Sequence, residues 1–534
     1  MNRTVIQASE GSGKLLLQSA VLTAVFFAAL LLLLRPAYGT VEDAFVLYQL
    51  GGGFGAPPTH LLHYNHILNP LVGAPIAALF RQLPGINWYT TFLFAGHFTA
   101  CCTICFCLLR RQPLVAAISV YALFFFVFES RFYASLNFSN ASVLLAIAAL
   151  LFLLAGARSD EHRVRHGITG ALLLLAAGLF RIHAWLPLLP LAAVFLGSLP
   201  GWRSRGQRLL WAGVALLALF AAQRFQEALY TAKLPGWRAE ESYRQQLYAL
   251  YNNKALSYPG PGAPLFLEGQ MARTGMVVDR DLLTPEVLRQ LAAGARVDQR
   301  DSGSLYWLFT NNRIFLIAAL LPLLFAATAR QRLAGLAALA LVGVMATALL
   351  YRFGKLPDYL LQGMLATVLL FSFCSTQSHQ TARPRLLLPL SLVLAAWGLW
   401  VTVKLNCTER SHQEEFRRQW AFFNRERDRL FFVSTDAFAL QHFPAWSPPA
   451  RYPLAHVLTG EHFIQGLEAP VLHRFGLKNL RELPDRNEAA VAGWPPVLIQ
   501  SYFQRVTGKS GQLAARVDSP LPVYEFVQTK TAAP

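Results

Sequence analysis

Two adjacent carboxylates, Glu42 and Asp43, follow an uncharged apolar run and precede Gly51-Gly52-Gly53-Phe54-Gly55-Ala56-Pro57-Pro58, a stretch that cannot readily continue a helix. Carboxylates at a membrane boundary cost free energy when dry and unpaired, so such a pair is either a solvated helix anchor or a group held for chemistry. Next come His60, His63 and His66, whose three-residue spacing would put them roughly on one helical face. Zinc could use that spacing, but no suitably spaced glutamate accompanies it. Hydrogen bonds from His60, His63 and Asn65 to polar substrate groups or to carboxylates explain it at least as well. No metal ligand is assigned on this pattern, and a divalent ion stays open as a cofactor. Cys101, Cys102, Cys105 and Cys107 crowd an apolar stretch, where they read as helix-packing residues and not as a zinc or redox centre.

The elements that must position these residues are set by hydropathy. Of 534 residues, 54% are hydrophobic and 14% charged, an apolar excess that a water-soluble core of this size does not need. The formal net charge of +18 is not a nucleic-acid footprint, because the basic residues sit in short breaks between apolar runs. The first run, Leu15 to Leu34, is long enough to span a bilayer and reads as an uncleaved anchor. Further runs fall near 88–109, 113–128, 139–157, 167–182, 184–199, 209–222, 313–329, 333–350, 358–374 and 386–403. With the first, about eleven spans are expected, two of them meeting in a hairpin around Arg181-Ile182-His183. A cytoplasmic N-terminus puts the basic breaks, from Arg110 and Arg111 to Arg383 and Arg385, on the inner face of a bacterial-type inner membrane.

The fold class expected is mainly α: a polytopic helical bundle over 1–403, with outer loops at 35–87 and 223–312. A smaller extracytoplasmic α/β domain is expected over 404–534. In the first loop, apolar residues from Ile67 to Leu83 recur at helical spacing, predicting a surface-lying amphipathic helix. In the tail, the runs at 430–433, 496–499 and 523–527 predict buried strands.

An acidic pair just outside the first span, followed by a long outer loop with a surface-lying helix, resembles the GT-C class of polytopic glycosyltransferases over about residues 1–400. The run from Glu42-Asp43 through the glycines, the stretch His60 to Asn65, and Ile86-Asn87-Trp88-Tyr89 carry the resemblance. It implies a membrane glycosyltransferase that uses a polyprenyl-phosphate sugar donor and an extracytoplasmic glycan or lipid acceptor. Asp43 or Glu42 would then be the catalytic carboxylate, with Asp43 preferred as general base. One base suffices in principle, since a polyprenyl phosphate leaves readily without protonation and direct attack inverts the anomeric carbon. Donor phosphate would need cations on the outer side, where Arg131, Arg181 with His183, Arg352 and Lys355 fall; Arg313 falls there too. The polar segment 129–140, between two spans, could line a sugar site. Two rival readings are a non-enzymatic transporter or flippase of lipid-linked sugars and a polysaccharide polymerase or ligase.

Overall fold

The structure, a computed structural model, describes residues 2–62, 68–155, 163–198, 202–252, 256–257, 260, 262–276, 279–297, 310–325, 328–353, 356–375, 384–460, 468–508 and 513–527. Among them, nine helices are long and apolar enough to cross a membrane. They are Gly13–Leu33, Trp88–Arg111, Leu114–Ala134, Phe138–Ala155, Val164–Trp185, Arg205–Lys233, Ala329–Arg352, Asp358–Ser375 and Leu386–Arg425. The other two expected runs form shorter apolar helices, Leu188–Gly197 and Arg313–Phe325. At about 1.5 Å per residue neither reaches the ~30 Å of a hydrocarbon core alone. Near the expected hairpin, the helix Arg163–Trp185 is interrupted by extended backbone at Arg181 (φ −166°, ψ 101°), and helix resumes at Leu188.

Phe138–Ala155 is the hub of the bundle, buried along its whole length. Its alanines and serines let neighbouring helices approach, as close packing in lipid requires. A tighter contact involves Gly398, where an added Cβ would come within 2.8 Å of the Phe126 carbonyl oxygen and 2.9 Å of the Val127 Cα. That approach meets a π-helical turn, Phe125–Glu129, set within the span Leu114–Ala134. The segment from Glu129 to Ala134, expected as part of an outer loop, is therefore helical.

The loop helix predicted after Ile67 is present as Pro70–Gln82, capped by the Asn69 side chain, which accepts from the Leu71 N–H at 3.0 Å. At the other end of the chain, one helix runs unbroken from Pro384 to Arg425, through residues 403 and 404, where the two domains were expected to divide. A mixed five-stranded sheet follows, in the order Val457–Thr459, Leu430–Val433, Ala489–Ala492, Val523–Phe526, Leu513–Arg516. Its first three strands are parallel and the last two pair antiparallel. Leu430–Val433 and Ala489–Ala492 are buried throughout, as central strands covered on both faces must be. The expected strand at 496–499 is instead the start of a helix, Pro496–Thr507. Proline at the first helical turn loses no hydrogen bond and pre-sets φ, which decides a short apolar run toward helix.

The sheet unit sits on the same end of the bundle as the acid-bearing turn. Tyr48 OH donates to the Tyr452 carbonyl at 2.6 Å, the Leu454 N–H donates to the Gly53 carbonyl at 3.0 Å, and Asn87 Nδ2 donates to the Ala445 and Ser447 carbonyls at 2.7 and 2.9 Å. The 223–312 segment reaches it too, through a two-pronged ion pair from Arg481 to Asp279 at 2.6 and 2.7 Å.

Candidate functional site

After the first span the chain makes a two-residue parallel bridge, Ala37–Tyr38 against Ser135–Leu136, and the Gly39 N–H extends it to the Leu136 carbonyl at 2.8 Å. The approach at position 39 is close: a Cβ there would lie 2.5 Å from Asn137 Nδ2 and 2.7 Å from Ser135 Oγ, so those side chains would have to move. Thr40 then stands at the N-terminal boundary of the helix Val41–Gly51, with Glu42 and Asp43 in its first turn, where carboxylates complement the helix dipole.

The two acids have different surroundings. Asp43 is fully buried. Its Oδ2 accepts from Thr40 Oγ1 at 2.7 Å, and its Oδ1 accepts from Tyr89 OH at 2.7 Å and from the Phe138 N–H at 3.1 Å. Burial pushes the Asp43 carboxyl up to about 7, assisted by the neighbouring charge of Glu42 and opposed by the three donors. One side chain thus ties the acid-bearing turn to the starts of two spanning helices. Glu42 is only half-buried.

Beside this turn lies a cavity of about 380 Å³. Gly39 and Thr40 form part of its wall. The rest comes from Arg131, Phe132, Ala134, Ser135, Asn137 and Asn140, from Pro357, Asp358, Tyr359 and Gln362, and from Thr402, Leu405, Asn406 and Glu409. Its lining is thus drawn from four parts of the chain, all at one end of the bundle. Asn137 caps the hub helix, its Oδ1 accepting from the Asn140 N–H at 2.6 Å, so its polar wall is fixed by helix geometry. Arg131 and Asp358 supply opposite charges that interact across the cavity lining. The combination of a guanidinium, amides, hydroxyls and carboxylates suits a polar ligand bearing an anionic group. Neither acid is part of the wall, Asp43 being buried behind it; Thr40, the partner of Asp43, is.

Of the other residues singled out in the sequence, Arg131 lines this cavity. Arg181 donates to Ser139 Oγ at 2.7 Å and lies over the Phe138 ring, 5.1 Å from its centroid, next to the peptide N–H that holds Asp43. His183 is exposed nearby. His60 packs beside Gly73 on the loop helix, away from the cavity lining, and burial followed by the charge of Arg81 lowers its pKa. Arg352 is exposed at the end of its helix. His63, Asn65 and Lys355 lie outside the described residues.

Sequence reasoning passed over Asp358 and Glu409, although an acid opening a span and an acid one or two turns beyond another are visible signals. It also passed over His97. That imidazole is fully buried and its Nδ1 lies 2.7 Å from Oε1 of Glu129, itself fully buried in the π turn. Two ionisable groups in neighbouring apolar runs are the signal that could have found the pair.

No family model matches the chain, and no curated protein matches it. Among solved structures it is similar to the crystal structure of ArnT from Cupriavidus metallidurans in the apo state, with TM-score 0.51 and 11% identity over 97% of this chain and 98% of that one. ArnT is a GT-C glycosyltransferase, a 4-amino-4-deoxy-L-arabinose transferase. The likeness extends over both the bundle and the sheet unit. The chain is a multi-pass membrane protein with the GT-C fold.

Proposed function

We propose that this protein is an inner-membrane glycosyltransferase that moves a sugar from a polyprenyl-phosphate donor to an extracytoplasmic glycan or lipid acceptor, with inversion at the anomeric carbon. The observation that carries the reading is the cavity walled by Gly39 and Thr40 of the acid-bearing turn and by Arg131, at one end of a bundle with the ArnT fold. The basic breaks between spans support the reading that this end faces away from the cytoplasm.

In this reading Arg131 holds the donor phosphate, and the amides of Asn137, Asn140 and Gln362 bind sugar hydroxyls. The acceptor hydroxyl loses its proton to a carboxylate while its oxygen attacks the anomeric carbon. The anomeric bond to phosphate oxygen breaks, and polyprenyl phosphate departs with that electron pair. Glu42 and Asp43 remain the two candidates for the base. Asp43 already accepts three hydrogen bonds in a buried site, whereas Glu42 is half-buried in the same turn. A base has to come within hydrogen-bond reach of the acceptor, so we assign that role to Glu42 and a positioning role to Asp43.

The test is sugar transfer by purified protein in liposomes loaded with candidate polyprenyl-phosphate sugars. Glu42→Gln is expected to lower the rate by about 10²- to 10⁴-fold, the usual range for removing a general base. Arg131→Ala should weaken donor binding. Loss in Asp43→Asn with none in Glu42→Gln would return the role of base to Asp43, and full activity in both would remove the carboxylate mechanism.

A further inference from the structure

On the stretch of Pro384–Arg425 that extends past the bundle, Glu409 and His412 stand three residues apart and so share a face. A third group reaches them from the sheet unit: His442, at the end of the 3-10 turn Leu440–His442. His442 Nδ1 lies 2.7 Å from Glu409 Oε1, and His412 Nδ1 lies 3.9 Å from Glu409 Oε2. The two imidazole rings sit 4.5 Å apart between centroids, tilted by 41°. One ligand atom from each of the three residues falls within 4.8 Å of the others.

We propose that Glu409, His412 and His442 form a binding site for a divalent transition metal of the zinc type. Two neutral imidazoles and one carboxylate are a ligand set that zinc uses in open, four-coordinate sites. With bonds of about 2.0–2.1 Å and tetrahedral angles, ligand atoms sit roughly 3.4 Å apart, so small side-chain rotations would complete the site. Binding at His442 Nδ1 would shift the ring hydrogen to Nε2, so the imidazole stays neutral while its hydrogen bond to Glu409 gives way to the ion. His412 is exposed and the other two are half-buried, which leaves an entry path for the ion. Three protein ligands leave the fourth position to water or to an oxygen from a ligand.

The location gives the site a task. It would clamp the 440–442 turn to the long helix with bonds that neither element makes alone. Glu409 also belongs to the cavity wall, so the ion would stand at the edge of the polar chamber. This inference stands on the cluster itself and is independent of the proposed transfer reaction.

The experiment uses full-length protein in detergent, stripped with chelator and dialysed, then titrated with Co²⁺ and followed by visible absorption. Wild type should develop the intense d–d bands of four-coordinate cobalt with one equivalent bound, and Zn²⁺ should bleach them. His412→Ala and His442→Ala should each weaken binding by about tenfold or more. His473→Ala, an exposed histidine elsewhere on the sheet unit, should bind as wild type does. Zn²⁺ should raise the thermal midpoint of wild type and leave that of His412→Ala unchanged, since only ligands of the native state stabilise it. His412 is exposed, so its replacement reports even where His442→Ala folds poorly. Absence of cobalt bands in wild type, or equal binding by wild type and His412→Ala, overturns the site.

Discussion

At the residue scale, Asp43 concentrates the structure's polar design on one carboxyl group. Its oxygens meet a threonine hydroxyl, a tyrosine hydroxyl and a helix-terminal N–H, yet burial still dominates and holds its pKa near 7 against an ordinary 3.8. A carboxyl whose folded pKa is raised contributes stability that is fully present below its unfolded value and lost as pH rises through the folded one. The window here therefore runs from about pH 4 to about pH 7. Asparagine at position 43 keeps an acceptor for Tyr89 and Phe138 and offers its amide to Thr40, while removing the titration. In detergent, the thermal midpoint of wild type should accordingly fall relative to that of Asp43→Asn as pH rises across this window. Parallel curves for the two proteins would show that the carboxyl does not titrate there. The adjacency of Glu42 and Asp43 was readable from the sequence, but their division of labour was not. Which acid is buried depends on the Tyr89 and Phe138 partners, and those come from helices 46 and 95 residues away along the chain.

At the scale of elements, hydropathy located each apolar run because a bilayer imposes a length and an average composition, both of which one sequence displays. Two of those runs are described as helices of only 10 and 13 residues, a length that hydropathy along one sequence does not resolve. Residues 496–499 show the same ambiguity in the sheet unit: four apolar residues suit strand and helix alike, and the proline before them decided the outcome. The π turn at Phe125–Glu129 left no periodic trace, yet it bears on packing. It meets the helix Pro384–Arg425 at Gly398, where two of the three nearest atoms are backbone and cannot rotate away. Gly398→Leu should thus separate the two helices at the turn and cost about 1–3 kcal/mol or more, as overpacking does elsewhere. Gly343, which has open space around its Cβ position, provides the control: Gly343→Leu should leave the thermal midpoint near that of wild type. Equal midpoints for both variants would mean that the close approach at Gly398 is not maintained in the membrane.

For the whole molecule, the decisive question is which way the cavity end faces, because a lipid-borne donor and its acceptor are met on only one side. The first helix, the acid-bearing turn, the cavity and the sheet unit are joined by short-range hydrogen bonds, so fixing the side of one fixes the side of all. Charge favours one answer: in the sequence, arginines crowd the breaks that the proposed orientation puts on the cytoplasmic side. A buried pair such as His97 and Glu129 would suit a transporter, which would place it at the midplane between related halves of the fold. Here Glu129 lies five residues before the cavity end of its span, roughly 7–8 Å at 1.5 Å per residue, and so sits toward one face. Orientation can be read through Cys407, which is exposed next to the cavity residue Asn406, while the other five cysteines are buried or half-buried within the bundle. In intact spheroplasts a membrane-impermeant maleimide should label wild type, and Cys407→Ser should remove the label. Labelling that appears only after lysis would put the cavity, the acid pair and the sheet unit in the cytoplasm, where a sugar destined for an extracytoplasmic acceptor could not be transferred.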